Sequence, residues 1–227
     1  MTNLAVAPSM VRRPESEEPI ADFASYFAKS TAVVRKLPIA TIERVADALY
    51  RAYEAGRSVF LFGNGGSAGL ASHFACDLAK GTALPDRFAK RLRALSLADN
   101  LALITAWAND TSYEHVFAEQ LRNFVQAGDV AFGISASGRS RNVLLGLHAA
   151  REAGAATIGL SGFEGGKLPE VCDVCIVVPS NNMQIIEDLH LAVTHSLFTV
   201  VRNRIHQAAK TRVGRGGAEA VAALQTR

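Results

Sequence analysis

The chain has 227 residues, 49% hydrophobic and 20% charged, enough for one sizeable domain whose core needs neither disulfides nor a structural metal. Its 24 Lys and Arg against 21 Asp and Glu leave a formal charge of +3, with Lys210, Arg212, Arg215 and Arg227 in the C-terminal tail, too weak and dispersed for a nucleic-acid partner. Three cysteines, an odd number, make no disulfide framework and point to a reducing, cytoplasmic setting. The first nineteen residues place their charges after a short apolar patch, the reverse of a signal peptide, and no run of eighteen apolar residues occurs, so no membrane partner is expected.

Residues 1–18, rich in Pro, Ser and charge, read as a disordered tail, and residues 19–207 as a single domain. Ile20, Phe23, Phe27 and Val34 mark one helix face, ended by Pro38; Ile42, Val45, Leu49 and Tyr53 mark a second, closed by Gly56. These two extra N-terminal helices are expected to cover the sheet or an oligomer interface. The run 58–62 is apolar on both faces and too short for a helix, which predicts a buried parallel strand. Gly63, Asn64, Gly65, Gly66 and Ser67 then form a turn that needs residues tolerant of positive φ, and a helical pattern resumes at Ala68. His73 and Asp77 stand four apart and share a face of that helix.

A second strand at 93–97 leads into Ala98, Asp99 and Asn100, the start of a helix through Trp107; Asn109, Asp110 and Thr111 break it, and 113–124 gives another. The third strand, 130–134, runs into Ser135, Ala136, Ser137, Gly138, Arg139 and Ser140, a second small-residue turn, followed by a helix at 142–153. A fourth strand, 156–160, ends in the loop 161–166. A fifth, 174–178, follows Cys172 and Cys175, a lone CxxC among apolar residues that reads as packing. The last helix, 183–206, carries Ile186, Leu189, Val193, Leu197 and Val200 on one stripe, and 208–227 reads as a mobile tail.

Strands alternating with helices imply an open parallel α/β sheet, in which ligands bind beyond the carboxyl ends of the strands at the switch point of strand order. Both serine-bearing turns follow strands directly and so belong to that edge. Ser67, Ser135, Ser137 and Ser140, with backbone N–H groups and helix N-termini, can hold a dianion such as a phosphate monoester. The first turn lacks the Lys-Ser/Thr of a P-loop and the spacing GxGxxG, so it gives nucleotide binding little support. Ser67 and Ser140 also suit helix N-caps.

The sequence resembles the sugar isomerase (SIS) domain family, and within it the bacterial phosphoheptose isomerases. The resemblance covers residues 20–205 and is carried by GNGGSAGLASHFACDL, AND at 108–110, GDVAFGISASGRSRNV, AREAGAATIGLSGFEGGKL and IEDLHLAVTH. It implies a flavodoxin-like five-stranded parallel sheet with helices on both faces, a tetramer, and active sites between subunits. It implies conversion of sedoheptulose 7-phosphate to D-glycero-D-manno-heptose 7-phosphate through a metal-assisted enediol. The sugar phosphate would meet Asn64, Gly65, Gly66, Ser67, Asp99, Asn100, Asn109, Asp110, Ser135, Ala136, Ser137 and Ser140. One Zn²⁺ per site would be held by His73, Asp77, Glu187 and His195, with Asp77, Glu187 and His195 supplying acid and base.

This chain departs from the family pattern at Asp77 (for Glu), Glu187 (for Gln), Ala136 (for Thr) and Arg139 (for Asn), which leaves either carboxylate as the base. Glu187 and His195 are eight residues apart, roughly 12 Å along a straight helix, too far to ligate one ion. They are therefore expected to reach a given metal from two chains, or across a break in the helix. His190 reads as a surface or interface histidine, and His115, His148 and His206 have no evident partners. Two other readings stay open: a non-catalytic sugar-phosphate sensor or protein-binding scaffold, and an isomerase or lyase for another phosphosugar.

Overall fold

A computed structural model describes residues 20–85 and 90–225, with side chains to residue 211. The expected disordered tail at 1–18 lies outside the described residues.

Helix α1 (Phe23–Val34) opens on a capping box in which Asp22 Oδ1 accepts Ser25 N–H at 2.7 Å. Helix α2 (Ile39–Ala55) ends at Gly56, whose φ of 66° supplies the left-handed cap. The strands are β1 (Ser58–Gly63), β2 (Arg93–Ser96), β3 (Val130–Ile134), β4 (Ala156–Ser161) and β5 (Val174–Val177). They form one sheet in the order β2-β1-β3-β4-β5, every pair parallel, as the flavodoxin-like expectation requires.

Alternation along β1 explains its unbroken apolar run. Val59 and Leu61 enter one core with Val45 and Leu49 of α2, Phe74 of α3 (Gly66–Cys76) and Val193 and Leu197 of α8 (Met183–Gln225). Phe60 and Phe62 enter the other, with Phe117 and Leu121 of α5 (Val116–Phe124), Val143 and Leu147 of α6 (Arg141–Glu152) and Leu168 of α7 (Leu168–Val171). Burying a strand on both faces removes any need for polar alternation. Thus α2 covers the sheet, whereas α1 buries none of its residues fully and leaves Phe23, Phe27 and Val34 exposed.

Four local expectations need correction. Helix α4 (Leu101–Asp110) runs through Asn109 and Asp110 and stops only at Thr111, whose hydroxyl donates back to Trp107 O at 2.6 Å. The next helix begins with a 3₁₀ turn at Tyr113–His115, and the short α7 had no counterpart in the sequence reading. Helix α8 is unbroken between Glu187 and His195, and its backbone stays helical past residue 207 to Gln225. Helix α3 passes at Asp77–Gly81 into a π-turn, a wider coil that often marks functional sites. Among the described residues no helix is long and apolar enough to cross a membrane.

Candidate functional site

The order of strands reverses between β1 and β3, so the two serine turns leave the sheet side by side. Gly63 is paired with Ile134, and a Cβ on it would stand 2.8 Å from both Ile134 O and Ser67 Cβ. Only glycine lets the first turn fold back this closely. Asn64 and Asn142 then tie the turns together by exchanging two amide hydrogen bonds of 2.8 Å, and Tyr113 OH donates to Asn64 Oδ1 at 3.0 Å.

Neither serine expected as an N-cap performs that role. Gly65, at φ 54°, caps α3, while Ser67 lies buried in the first turn. Ser140 holds the N-cap position of α6, but its hydroxyl accepts from Ser135 Oγ at 2.9 Å. Ser137 Oγ accepts Arg139 N–H at 3.3 Å. The methyl of Ala136 is buried in a cluster with Val178, Ile185 and Ile186, so only its backbone is available to a ligand. Gly138, at φ 63°, interlocks with the 161–166 loop, since a Cβ there would fall 1.8 Å from Gly165 O. Lys167 N–H donates to Gly138 O at 2.8 Å and closes that clasp.

The implied metal ligands converge in part. His73 Nε2 lies 3.2 Å from His195 Nε2, and Asp77 Oδ2 lies 3.6 Å from the first and 3.8 Å from the second. These three form a group able to hold a metal ion. The π-turn seats Asp77: at Gly81 it presses so closely on α8 that a Cβ would meet the Phe198 ring at 2.6 Å. Ligands at the usual zinc bond lengths of about 2.0–2.2 Å in a tetrahedral shell stand about 3.3–3.6 Å from one another. The observed separations are near that spacing, so two imidazoles and a carboxylate fit three corners of such a shell.

Glu187 stands apart from the three. Its carboxylate lies against the start of α3, 3.1 Å from where a Cβ on Gly66 would be. The alternative of a helix break between Glu187 and His195 is corrected, since α8 is continuous there, while His195 meets His73 and Asp77 of its own chain. Glu187 instead lines a cleft of about 270 Å³ between α3 and α8, together with Gly66, Ser67, His73, Asp188 and His190.

His190 corrects another expectation. It is 1% exposed, with Nε2 3.0 Å from Ser161 O at the end of β4, and burial pushes its pKa down to about 4. Its spacing from Ile186 and Thr194 puts it on the buried stripe of α8, a signal the sequence carries. Asp188, unnamed in the sequence reading, accepts Tyr26 OH at 2.5 Å, and that bond lifts the phenol to about 12. No sequence pattern links α1 to α8 in this way. His115 does have a partner, Ser112 Oγ at 2.9 Å from Nδ1, whereas His206 Nε2 is buried without one.

The remaining expected contacts bond locally. Asp99 accepts the hydroxyl of Ser72, the neighbour of His73. Asn100 caps α4 through Oδ1, which accepts Leu103 N–H at 3.1 Å. Asn109 and Asp110 are exposed on the last turn of α4 and pair with each other at 2.9 Å. Cys172 and Cys175 pack against Gly159, where burial pushes both thiols up to about 12, as packing residues.

A family model described as SIS domain matches residues 22–162. The phosphoheptose isomerase of Helicobacter hepaticus is 38% identical over 172 residues, 76% of this chain and 86% of that protein. That of Rhodospirillum rubrum is 40% identical over 164 residues, 72% and 86% of the two chains. Among solved structures, the phosphoheptose isomerase GmhA from Neisseria gonorrhoeae superposes with a TM-score of 0.73 at 30% identity, covering 79% of this chain and 96% of that one. The Vibrio vulnificus NanR protein, solved with ManNAc-6P, shares the fold at a TM-score of 0.59 and 14% identity, covering 86% of this chain and 70% of that one.

Proposed function

The chain belongs to the SIS domain family and is an aldose–ketose isomerase of phosphosugars; we propose that its substrate is sedoheptulose 7-phosphate and its product D-glycero-D-manno-heptose 7-phosphate. The phosphate rests on the two serine turns, where Ser67, Ser137, the Ser135 and Ser140 pair and the N-termini of α3 and α6 offer donors to a dianion. The sugar extends along the α3–α8 cleft, with C1 and C2 between Glu187 and the His73, Asp77 and His195 group.

The observation that carries this reading is the division of labour between the two carboxylates. Asp77 faces both imidazoles, whereas Glu187 stands free in the cleft. Glu187 accordingly takes the proton from C1 and returns it to C2, while the hydroxyl proton passes from O1 to O2. His195 Nε2 is committed to the cation group and cannot also carry that hydroxyl proton. Zn²⁺ on His73, Asp77 and His195 would supply Lewis-acid polarisation of the substrate carbonyl.

We assign the protein to a homo-oligomer, the tetramer that the resemblance implies; the exposure of the apolar residues Phe23 (87%) and Phe27 (65%) on α1 and Ile39 (59%) on α2 supports an interface there. The three free cysteines fit a reducing cytoplasm. Purified protein given sedoheptulose 7-phosphate, zinc-loaded or stripped by chelator, tests the proposal. Aldose should accumulate only in the loaded sample, and none in either would end the heptose reading.

A further inference from the structure

We propose that His190 is a substrate-binding residue whose Nδ1 accepts a hydrogen bond from a sugar hydroxyl in the α3–α8 cleft. This rests on the reading that the cleft receives a phosphosugar. His190 lines the cleft from α8, between Glu187 and Asp188 on one side and Leu191 on the other. Its Nε2 faces a carbonyl oxygen, Ser161 O, at 3.0 Å, so the ring proton must sit on Nε2 and the lone pair on Nδ1. Nδ1 has no protein partner. Yet the one fully buried, unpartnered side-chain nitrogen or oxygen among the described residues is His206 Nε2. The residual exposure of His190 therefore reaches Nδ1, and the cleft is the space it opens to.

The site selects for the chemistry of a polyol. Burial keeps the imidazole neutral, with a pKa pushed down to about 4, so Nδ1 is an acceptor throughout the physiological range. A neutral lone pair welcomes an O–H donor and repels a phosphate oxygen. Glu187 and Asp188 beside it are also acceptors, whereas across the cleft Gly66 brings a backbone N–H and Ser67 a hydroxyl. A sugar, whose hydroxyls both donate and accept, satisfies both walls at once.

Two variants separate substrate contact from anchoring of α8. H190Q keeps an amide donor near the Nε2 position for Ser161 O but has no acceptor at Nδ1. H190N keeps an amide near Nδ1 but does not reach Ser161. The proposal expects H190Q to hold its melting temperature while KM for sedoheptulose 7-phosphate rises about 3- to 10-fold, the loss of one neutral hydrogen bond. H190N should melt lower with a smaller rise in KM. A purely structural His190 would give the same order of melting temperatures but the reverse order in KM, with H190Q at the parent's value, and would overturn the proposal.

A direct reading comes from the full chain carrying ¹⁵N-labelled histidine. The Nδ1 resonance of His190 should shift on adding a phosphosugar that raises the melting temperature, and stay in place with inorganic phosphate. A stationary Nδ1 signal with a phosphosugar that demonstrably binds overturns the His190 contact. Absence of turnover with sedoheptulose 7-phosphate, by contrast, overturns only the heptose reading, because the resonance can be followed with any phosphosugar that binds.

Discussion

His73 Nε2 and His195 Nε2 stand 3.2 Å apart although 122 positions separate them in the chain. Two neutral imidazoles that close can share at most one hydrogen bond, and with Asp77 Oδ2 at 3.6 and 3.8 Å they form an arrangement suited to a cation. The fold assembles it by packing the π-turn at Asp77–Gly81 onto α8. Within one chain, then, two helices distant in sequence supply three donors.

Removing one of these donors should weaken zinc binding more than removing Glu187. H73A and H195A should each lower zinc affinity by about 100-fold or more, beyond the 10–100-fold typical of losing an outer-shell partner. E187A should stay within a few fold of the parent. Isothermal titration of metal-stripped protein with zinc measures both, and equal losses at Glu187 and His195 would place Glu187 among the ligands.

The isosteric variant E187Q tests the base. Its kcat should fall by about 10²–10⁴, the usual worth of a positioned acid or base, with KM little changed. Normal turnover would return the C–H proton to Asp77. This result is informative because glutamine is the residue that the family resemblance leads one to expect at the position.

Gly138 should tolerate no side chain. At φ 63° an L-residue is strained, and its Cβ would collide with backbone at Gly165. G138A should lose about 3 kcal/mol or more in urea unfolding, with a raised KM as the second serine turn is displaced. Wild-type stability and KM would refute the clasp between the 161–166 loop and that turn.

Burial of His190 carries a pH signature. Its pKa falls from 6.5 to about 4 on folding, so the unfolded chain binds the extra proton between those values. Stability from this group is complete above pH 6.5 and is lost as pH falls towards 4. Between pH 7 and pH 5 the parent should lose about 2 kcal/mol more than H190Q. Urea titrations at both pH values measure the difference, and parallel losses would contradict it.

Thiol labelling distinguishes the three cysteines. Cys76 is exposed on α3, whereas burial raises Cys172 and Cys175 to about 12. Iodoacetamide at pH 8 should therefore modify the native chain at Cys76 alone, read by peptide mass, with the CxxC pair reacting only after unfolding.

The frame of the molecule is readable from its letters. The runs at β1 and β3 are apolar on both faces, which already demands helices on either side, and the glycine turn after β1 could occupy only the switch point. The spacing of Glu187 and His195 is reflected in their placement: His195 joins His73 and Asp77, while Glu187 faces the cleft beside Gly66. The π-turn leaves no local signature, because it arises where Gly81 meets Phe198 across the fold. The Tyr26 and Asp188 bond is hidden for the same reason. Ser67 and Ser140 look like caps by composition, yet Gly65 takes one position and Ser135 draws away the hydroxyl at the other.

The central claim, proton transfer through an enediol beside a cation held by His73, Asp77 and His195, is tested most directly by running the zinc-loaded enzyme on sedoheptulose 7-phosphate in D₂O. The aldose should carry solvent deuterium at C2, and stripping the metal should abolish both product and label. Aldose still free of deuterium after the reaction has been held at equilibrium, or formed at an unchanged rate after stripping, would contradict the account.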